Sequence, residues 1–224
     1  MTDLLSQSDL VAGLSADIAA CRLCLTAPRG APLPHAPRPV VRLSGTARIL
    51  VAGQAPGTRV HASGLPFDDA SGDRLRDWLG LDRADFYDCR KVAFLPMGFC
   101  FPGQDAKGGD LPPRRECQSA WHERAVAAMP QIALLVLVGA YAQDYHLRRL
   151  GLGALQGASL AATVSNWQAF AQLRAPRVFA LPHPSWRNTG YLKKNPWFDK
   201  DVLPILRAAV QDGLGSGPGS GSPV

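Results

Sequence analysis

The sequence ARILVAGQAPG (residues 47–57) joins a short apolar run, residues 47–52, to a turn rich in glycine and proline, residues 53–57. A continuous apolar run that ends at such a turn is typical of a β-strand buried on both faces. Three other runs have the same character, and each ends at a glycine or a proline: residues 91–95, 132–138 and 177–181. The sequence therefore predicts four buried strands, the first of which leads directly into a tight turn.

Helical patterns lie between these strands. Residues 73–79 repeat apolar positions at helical spacing and stop at Gly80, and residues 116–129 do the same and stop at Pro130. Strands that alternate with helices form βαβ units. We therefore predict an α/β fold, a three-layer sandwich with a central four-stranded, mostly parallel sheet flanked by helices. We expect one domain over residues 1–212 and a disordered Gly/Ser/Pro tail over residues 213–224.

This fold class also indicates where a site would lie. In open parallel sheets, ligands bind in the crevice beyond the carboxyl ends of the strands. Two motifs fall there: the turn at residues 53–57 follows the first predicted strand, and His183-Pro184-Ser185 follows the fourth. We expect these two motifs to meet in one site.

The charge of the chain is compatible with a polyanionic partner. The formal net charge is +6 and the isoelectric point is about 9.3, although many proteins that bind no nucleic acid are equally basic. Residues 1–20 read as an amphipathic helix without the basic segment of a signal peptide, and the longest apolar run is too short to cross a bilayer. We expect a soluble, cytoplasmic protein with no membrane partner.

The chain has five cysteines, an odd number that argues against a disulfide framework in a reducing compartment. Cys21 and Cys24 form a C-x2-C pair, which places two thiolates on one tight turn. Cys100 and Cys117 could complete a four-thiolate site for zinc or for an iron–sulfur cluster. The alternative is that these cysteines are small buried hydrophobic residues, and this is what we expect for Cys89.

In their order and spacing, three blocks of the sequence resemble the uracil-DNA glycosylase superfamily, most closely its iron–sulfur branch, often called family 4. GQAPG (residues 53–57) followed by Gly64-Leu65-Pro66-Phe67 is similar to the family pattern GEAPG…GRPF, and His183-Pro184-Ser185 is similar to its HPS loop. The third block is the cysteine arrangement. The resemblance runs from about residue 21 to about residue 198. It implies a monomeric DNA glycosylase of base excision repair, which flips uracil or another deaminated base out of DNA and hydrolyses its N-glycosidic bond.

The resemblance also implies roles for individual residues. His183 would donate a hydrogen bond to the departing base, and Phe67 would stack on the extracted base. Alternatively, His183 caps a turn and Phe67 packs in the core. Gln54, with the backbone of Ala55 and Gly57, would position the water and shape the turn, and Ser185 would contact the substrate. The implied ligands of a [4Fe–4S] cluster are Cys21, Cys24, Cys100 and Cys117.

Two positions depart from the family pattern. Gln54 stands where family 4 usually has Glu, so the turn has no side chain that accepts a proton well. Pro96 stands where the family has the Asn that reads the edge of uracil, and proline offers neither an N–H nor a polar side chain. We therefore expect a broader choice of base than uracil alone. Asp68 and Asp69 are nearby acidic residues to which the sequence assigns no role.

Basic and aromatic residues interleave after the HPS motif, over residues 186–198. Such a loop can grip phosphates and fill the gap left by a flipped base. We expect Arg187 to contact DNA and Trp197 and Phe198 to pack in the core. Two other functions remain open: a non-catalytic iron–sulfur protein that binds DNA on the same scaffold, and a zinc-stabilised hydrolase with an unrelated α/β fold.

Overall fold

The computed structural model describes residues 6–174 and 176–215 of the 224-residue chain. Its centre is a four-stranded sheet formed by β1 (Ile49–Ala52), β2 (Val92–Phe94), β3 (Leu134–Val138) and β4 (Arg177–Leu181). The strand order is β2-β1-β3-β4, and every neighbouring pair is parallel. The predicted α/β class and the four strands are confirmed.

Twelve α-helices surround this sheet in the described part of the chain. Among them, α4 ends at Gly80, as predicted, where the backbone turns left-handed with φ of 65°. The helices are α1 (Gln7–Ala19), α2 (Leu23–Thr26), α3 (Thr58–Ser63), α4 (Ala70–Leu79), α5 (Arg83–Tyr87), α6 (Arg115–Cys117), α7 (Glu123–Ala127), α8 (Ala140–Arg149), α9 (Leu160–Ser165), α10 (Trp167–Ala171), α11 (Thr189–Lys194) and α12 (Leu203–Gly215).

Both faces of the sheet are buried, which explains why the strands read as continuous apolar runs rather than as alternating ones. On one face, side chains such as Ile49, Val51 and Phe94 pack against α4, α5, α9 and α12. On the other face, α1 and α7 cover Leu50 and its neighbours, while α8 and α10 cover the part nearer β4. These layers make the three-layer sandwich.

The long helix predicted over residues 116–129 is interrupted. A π-helical turn, Gln118–His122, separates α6 from α7. A π turn holds one more residue than an α turn and therefore re-aims the side chains that follow it. Here Trp121 donates a hydrogen bond to Cys21 Sγ, while His122 is fully buried and contacts the Met97 carbonyl.

The C-terminal helix is longer than the sequence predicts. Helix α12 continues to Gly215, so residues 213–215 are helical rather than part of a disordered tail. A Cβ atom on Gly213 would lie 3.2 Å from Ile49 Cγ1, and Leu214 packs against the core. These contacts with the sheet stabilise a segment whose composition alone favours disorder. The rest of the predicted tail, residues 216–224, lies outside the described residues.

Phe198 packs in the core, as predicted. It is fully buried, and its ring lies 4.9 Å from that of Trp78 in a T-shaped arrangement. Trp197 packs against the same cluster and is half-buried. Cys89, which we expected to be buried, is exposed. It lies in a surface turn where Asp88 and Arg90, on either side of it, form an ion pair. None of the described helices combines the length and the apolar character needed to cross a membrane.

Candidate active site

The carboxyl ends of the strands open onto one cavity of about 380 Å³. The chain reverses its direction across the sheet between β1 and β3, since β2 lies on one side of β1 and β4 on the far side of β3. This is the topological switch point at which parallel sheets bind ligands. Six residues of the candidate site line this cavity: Gln54, Phe67, Asp69, Pro96, Asp110 and His183.

The glycine turn (residues 53–57) is pinned to the segment that follows β2. Met97 N–H donates to the Gly53 carbonyl at 2.9 Å, and Gly98 N–H donates to the Gln54 carbonyl at 2.8 Å. Pro96 directly precedes these two residues. Because the N–H groups of Leu95 and Met97 both donate to the β1 segment, the nitrogen of Pro96 faces away from it. Because β2 is an edge strand, this proline breaks no ladder hydrogen bond of the sheet. Pro96 lines the cavity, where it presents only an apolar ring and its backbone.

Phe67 has an unusual backbone conformation, with φ of 54°. A left-handed backbone at a bulky residue persists only where its surroundings hold it in place. Tyr87 Oη donates to the Phe67 carbonyl at 3.2 Å, and Gly72 is essential, since a Cβ there would lie 1.7 Å from that carbonyl oxygen. The half-buried ring reaches Gly53, where a Cβ would lie 3.1 Å from Phe67 Cζ. Phe67 thus packs on the core, as one of its two interpretations holds, and it also lines the cavity, while its stacking on an extracted base stays a prediction.

The histidine loop (residues 183–185) places an imidazole at the opposite wall. Ser185 N–H donates to His183 Nδ1 at 3.2 Å, and Asn188 Nδ2 donates to the His183 carbonyl at 2.7 Å. His183 therefore does cap a turn, and the capping bond assigns its tautomer: Nδ1 accepts, so the proton of the neutral ring lies on Nε2. Burial lowers the pKa of His183, while the negative charges of Asp69 and Asp110 act against that shift.

Two residues that sequence reasoning missed hold the histidine loop in place. Arg74, on α4, donates to the Ser185 carbonyl at 3.1 Å and reaches Thr189 Oγ1 at 3.4 Å. The buried Gln143, on α8, donates to the Leu181 carbonyl at 2.8 Å, at the end of β4. In the sequence, Arg74 looks like an ordinary surface residue of a helix. No local pattern predicts its hydrogen bond to Ser185 or that of Gln143 to Leu181.

Three acidic residues lie close to the glycine turn or to Phe67, and the structure separates them. Asp68 forms an ion pair with Arg83 at 3.1 Å, which holds the pKa of this carboxyl below its usual value. Asp69 lines the cavity and caps α4, since its side chain accepts from Gly72 N–H. Asp110 lines the cavity from a distant loop, and no sequence signal distinguishes it from other loop carboxylates.

The mouth of the cavity is aromatic and basic. Trp186 is 77% exposed, more than any other large apolar side chain in the described residues. The guanidinium carbon of Arg187 lies 5.7 Å from the centre of its ring. Both residues border the cavity, so the loop predicted to contact DNA surrounds the site. Ala55, Gly57 and Ser185 also lie in the cavity wall.

The four cysteines of interest come from three separate segments and lie close together. The Cys117 thiol donates a hydrogen bond to Cys24, and this is the main reason why the pKa of Cys24 is lowered to about 7. Burial raises the pKa of Cys100 to about 12, and Cys24 and Cys21 are near enough to add to this shift.

The sulfur atoms also accept N–H groups. Phe99 N–H donates to Cys117 Sγ and Trp121 Nε1–H donates to Cys21 Sγ, both at 3.3 Å. Within the described residues, no group of three or more His, Cys, Asp or Glu side chains has the arrangement of a site for a metal ion.

Comparison with known protein families gives a match over most of the chain. The family model of the uracil DNA glycosylase superfamily matches residues 42–207, which is about three quarters of the chain. The matched region contains the four strands, the glycine turn, Phe67 and the histidine loop. It begins after Cys21 and Cys24, so the match does not extend to the first cysteine pair.

Proposed function

The chain belongs to the uracil DNA glycosylase superfamily, a superfamily of DNA glycosylases, and on this premise we propose that it excises uracil and at least one other deaminated base from DNA. The observation that carries the proposal is the meeting of Phe67 and His183 in one cavity at the switch point of the sheet. An aromatic face and a hydrogen-bond donor are the two groups needed to hold a flipped base and to stabilise it as it leaves.

His183 has the protonation state that this chemistry needs. When the N-glycosidic bond breaks, its electron pair leaves with the base, and negative charge develops on a carbonyl oxygen. Because burial lowers its pKa and Nδ1 accepts from Ser185, the neutral imidazole offers Nε2–H to that oxygen. A fixed donor in a site shielded from water costs no reorganisation when the charge appears. This supports His183 as a catalytic residue.

The loop at the mouth of the cavity suits a DNA duplex. A large exposed aromatic such as Trp186 can insert into the stack that a flipped base has left, and Arg187 beside it can pair with a phosphate. The formal net charge of +6 also attracts the protein to the negatively charged DNA backbone. We propose that Trp186 and Arg187 contact the strand that carries the damaged base.

The choice of base follows from Pro96. A site that hydrogen-bonds the edge of a base rejects a wrong base strongly, because a mismatch leaves buried polar groups unpaired. Pro96 removes that side chain, while stacking on Phe67 tolerates any base. We therefore propose at least one of hypoxanthine and xanthine as an additional substrate.

We further propose that Cys21, Cys24, Cys100 and Cys117 hold a [4Fe–4S] cluster. Buried thiols that share hydrogen bonds and accept N–H groups suit cluster ligation, because such donors stabilise the charge of the bound cluster. A cluster fills a volume rather than a point, so its ligands need not have the spacing of a mononuclear site. When bound, the cluster would join α2 to the segments around Cys100 and Cys117, and none of its four cysteines lines the cavity.

A non-catalytic DNA-binding protein is the second candidate. It is favoured by the absence of both the acidic residue in the glycine turn and the Asn at position 96. Such a protein would bind DNA through the same basic and aromatic loop but would leave every base in place. The family match argues against the zinc-stabilised hydrolase with an unrelated fold.

Single-turnover cleavage distinguishes the two candidates. Identical oligonucleotides that carry uracil, hypoxanthine, xanthine or thymine are incubated with excess protein, and abasic sites are converted to nicks with alkali. We expect nicking with uracil and with at least one of the two purines. Nicking with uracil alone would show that the pocket has another strict reader. DNA binding without nicking of any substrate would identify the non-catalytic protein.

A further inference from the structure

The glycine turn has no side chain that accepts a proton at neutral pH, because Gln54 is an amide and the other residues are Gly, Ala and Pro. Hydrolysis nevertheless ends with water adding to the sugar carbon, and that water must lose a proton. Two carboxylates line the cavity, Asp69 and Asp110. They are the local groups that could accept it.

The Asp69 side chain already accepts a hydrogen bond from the backbone. Its Oδ1 accepts the N–H of Gly72 at 2.9 Å and so caps the first turn of α4. The same turn carries the left-handed Phe67, whose carbonyl touches Gly72. The Asp69 carboxylate thus has a structural task that protonation would weaken.

Asp110 lies on a hydrogen-bonded hairpin, residues 103–111, that forms part of the cavity wall. Leu111 N–H donates to the Gly103 carbonyl at 3.0 Å, and Asp105 N–H donates to the Gly109 carbonyl at 2.8 Å. The tip is held by the Asp105 side chain, which accepts from the N–H groups of Lys107 and Gly109. These hydrogen bonds of the hairpin therefore fix the position of Asp110.

The two oxygens of Asp110 have different surroundings. Gln104 Nε2 donates to Oδ1 at 3.3 Å, which orients the carboxylate. Oδ2 faces the glycine turn, where it lies 3.5 Å from the point that a Cβ of Gly57 would occupy. Since Gly57 has no side chain, the space between Oδ2 and the turn stays open. Asp110 is also close enough to His183 for its charge to act on the imidazole.

The side-chain amide of Gln54 links the glycine turn to the hairpin that carries Asp110. Its Nε2 donates to the Leu111 carbonyl at 3.2 Å, next to Asp110 in sequence. A carboxylate at position 54 could not donate to that carbonyl. Gln54 is therefore a positioning residue that fastens the hairpin to the turn.

We propose, on the premise that the protein is a glycosylase, that Asp110 is the carboxylate that activates the hydrolytic water. In the first step, the bond between the base and C1′ breaks, and the electron pair leaves with the base, whose oxygen accepts a hydrogen bond from His183. In the second step, the water oxygen forms a bond to the cationic C1′ while Asp110 Oδ2 takes a proton from that water. The proton on Asp110 then passes to the base anion, so the products are an abasic sugar with a C1′ hydroxyl and a neutral base, and Asp110 is a carboxylate again. The negative charge of Asp110 also stabilises the cationic sugar before water adds.

The test is Asp110→Asn, with Asp68→Asn as the matched control. The amide keeps an oxygen that can accept from Gln104, so the hairpin should remain intact. We expect the single-turnover rate to fall by about 10²-fold or more, the usual contribution of a general base. DNA affinity and the melting temperature should not change. The control removes a carboxylate whose partner, Arg83, lies outside the cavity wall, and it should cleave at the wild-type rate.

A second variant separates chemistry from structure. Asp110→Ala leaves room for a small carboxylate, so added formate should restore part of the lost rate, whereas a variant damaged in its fold would not respond. Cleavage by Asp110→Asn at the wild-type rate would overturn the proposal. So would a loss of rate that is matched by a loss of DNA affinity or is insensitive to formate in Asp110→Ala. If the wild-type protein cleaves no substrate at all, the glycosylase function itself fails, which is a separate and recognisable result.

Discussion

At the scale of single residues, the two nitrogens of His183 have separate tasks. Nδ1 accepts the Ser185 N–H and holds the loop in its turn, so the structural interpretation of this histidine is true for one nitrogen. In the described residues, Nε2 makes no hydrogen bond, which leaves it available for a ligand in the cavity. The contrast shows why a motif alone could not decide between a capping and a catalytic histidine.

Replacing His183 by Ala should remove most of the single-turnover cleavage. A donor to a developing anion acts mainly in the transition state, and the loss of one such donor costs about 10²–10³ in rate. DNA affinity, measured by fluorescence anisotropy, should change little, because Trp186 and Arg187, which we propose contact DNA, remain and Asn188 still holds the loop through the carbonyl of residue 183. Cleavage at the wild-type rate would leave His183 with its capping role alone.

At the scale of elements, short segments are held by contacts distant in sequence. Helix α2 has four residues, too few to be stable by itself, and it carries the buried Cys24. Its neighbours around Cys100 and Cys117 lie more than seventy residues away along the chain. A shared cluster would explain how such a segment is fixed against the rest of the domain.

Protein purified anaerobically should therefore be brown and contain iron and acid-labile sulfide. Cys24→Ser should lose most of the iron, because a four-thiolate site would be left with three thiolates. Cys89→Ala is the matched control, since Cys89 is exposed and free, and its iron content should equal that of the wild type. A colourless protein with stoichiometric zinc would contradict the cluster.

At the scale of the whole molecule, buried histidines connect folding to pH. His146 is fully buried in α8, and neither ring nitrogen has a hydrogen-bond partner in the described residues. Burial lowers its pKa from 6.5 to about 3, helped by the charges of His122 and Arg149. Between pH 6.5 and about pH 3, His146 binds a proton in the unfolded chain but stays neutral in the folded protein. The contribution of His146 to the free energy of unfolding is thus fully present above pH 6.5 and is lost as the pH drops toward 3.

His146→Leu should remove this contribution. For the wild type, a single such histidine lowers the free energy of unfolding by about 1.4 kcal/mol for each pH unit below its ordinary pKa. Leucine has a similar volume and no titrating group, so the variant should show a correspondingly smaller slope. Urea unfolding at several pH values between 4.5 and 7 measures both slopes. Equal slopes would show that His146 is protonated or solvated in the native state.

The sequence by itself determined the four strands, the class of the fold and the edge of the sheet at which the site lies. This was possible because a strand buried on both faces has a local signature, and because parallel strands bring the turns that follow them to one edge. The resemblance to the family pattern added Phe67 and His183 as candidate site residues, and both line the cavity at that edge.

The tertiary structure decided the rest of the site. The hairpin that brings Asp110 to Gly57, the hydrogen bonds from Arg74 to the histidine loop and the bond that sets the tautomer of His183 are settled in the folded chain. Asp110 and Arg74 are polar residues that belong to no hydrophobic pattern. Gly57, near Asp110, and Ser185, bonded to Arg74, lie roughly fifty and one hundred residues away along the chain. Such contacts form only after the apolar layers have packed against the sheet, because that packing alone brings these distant segments together.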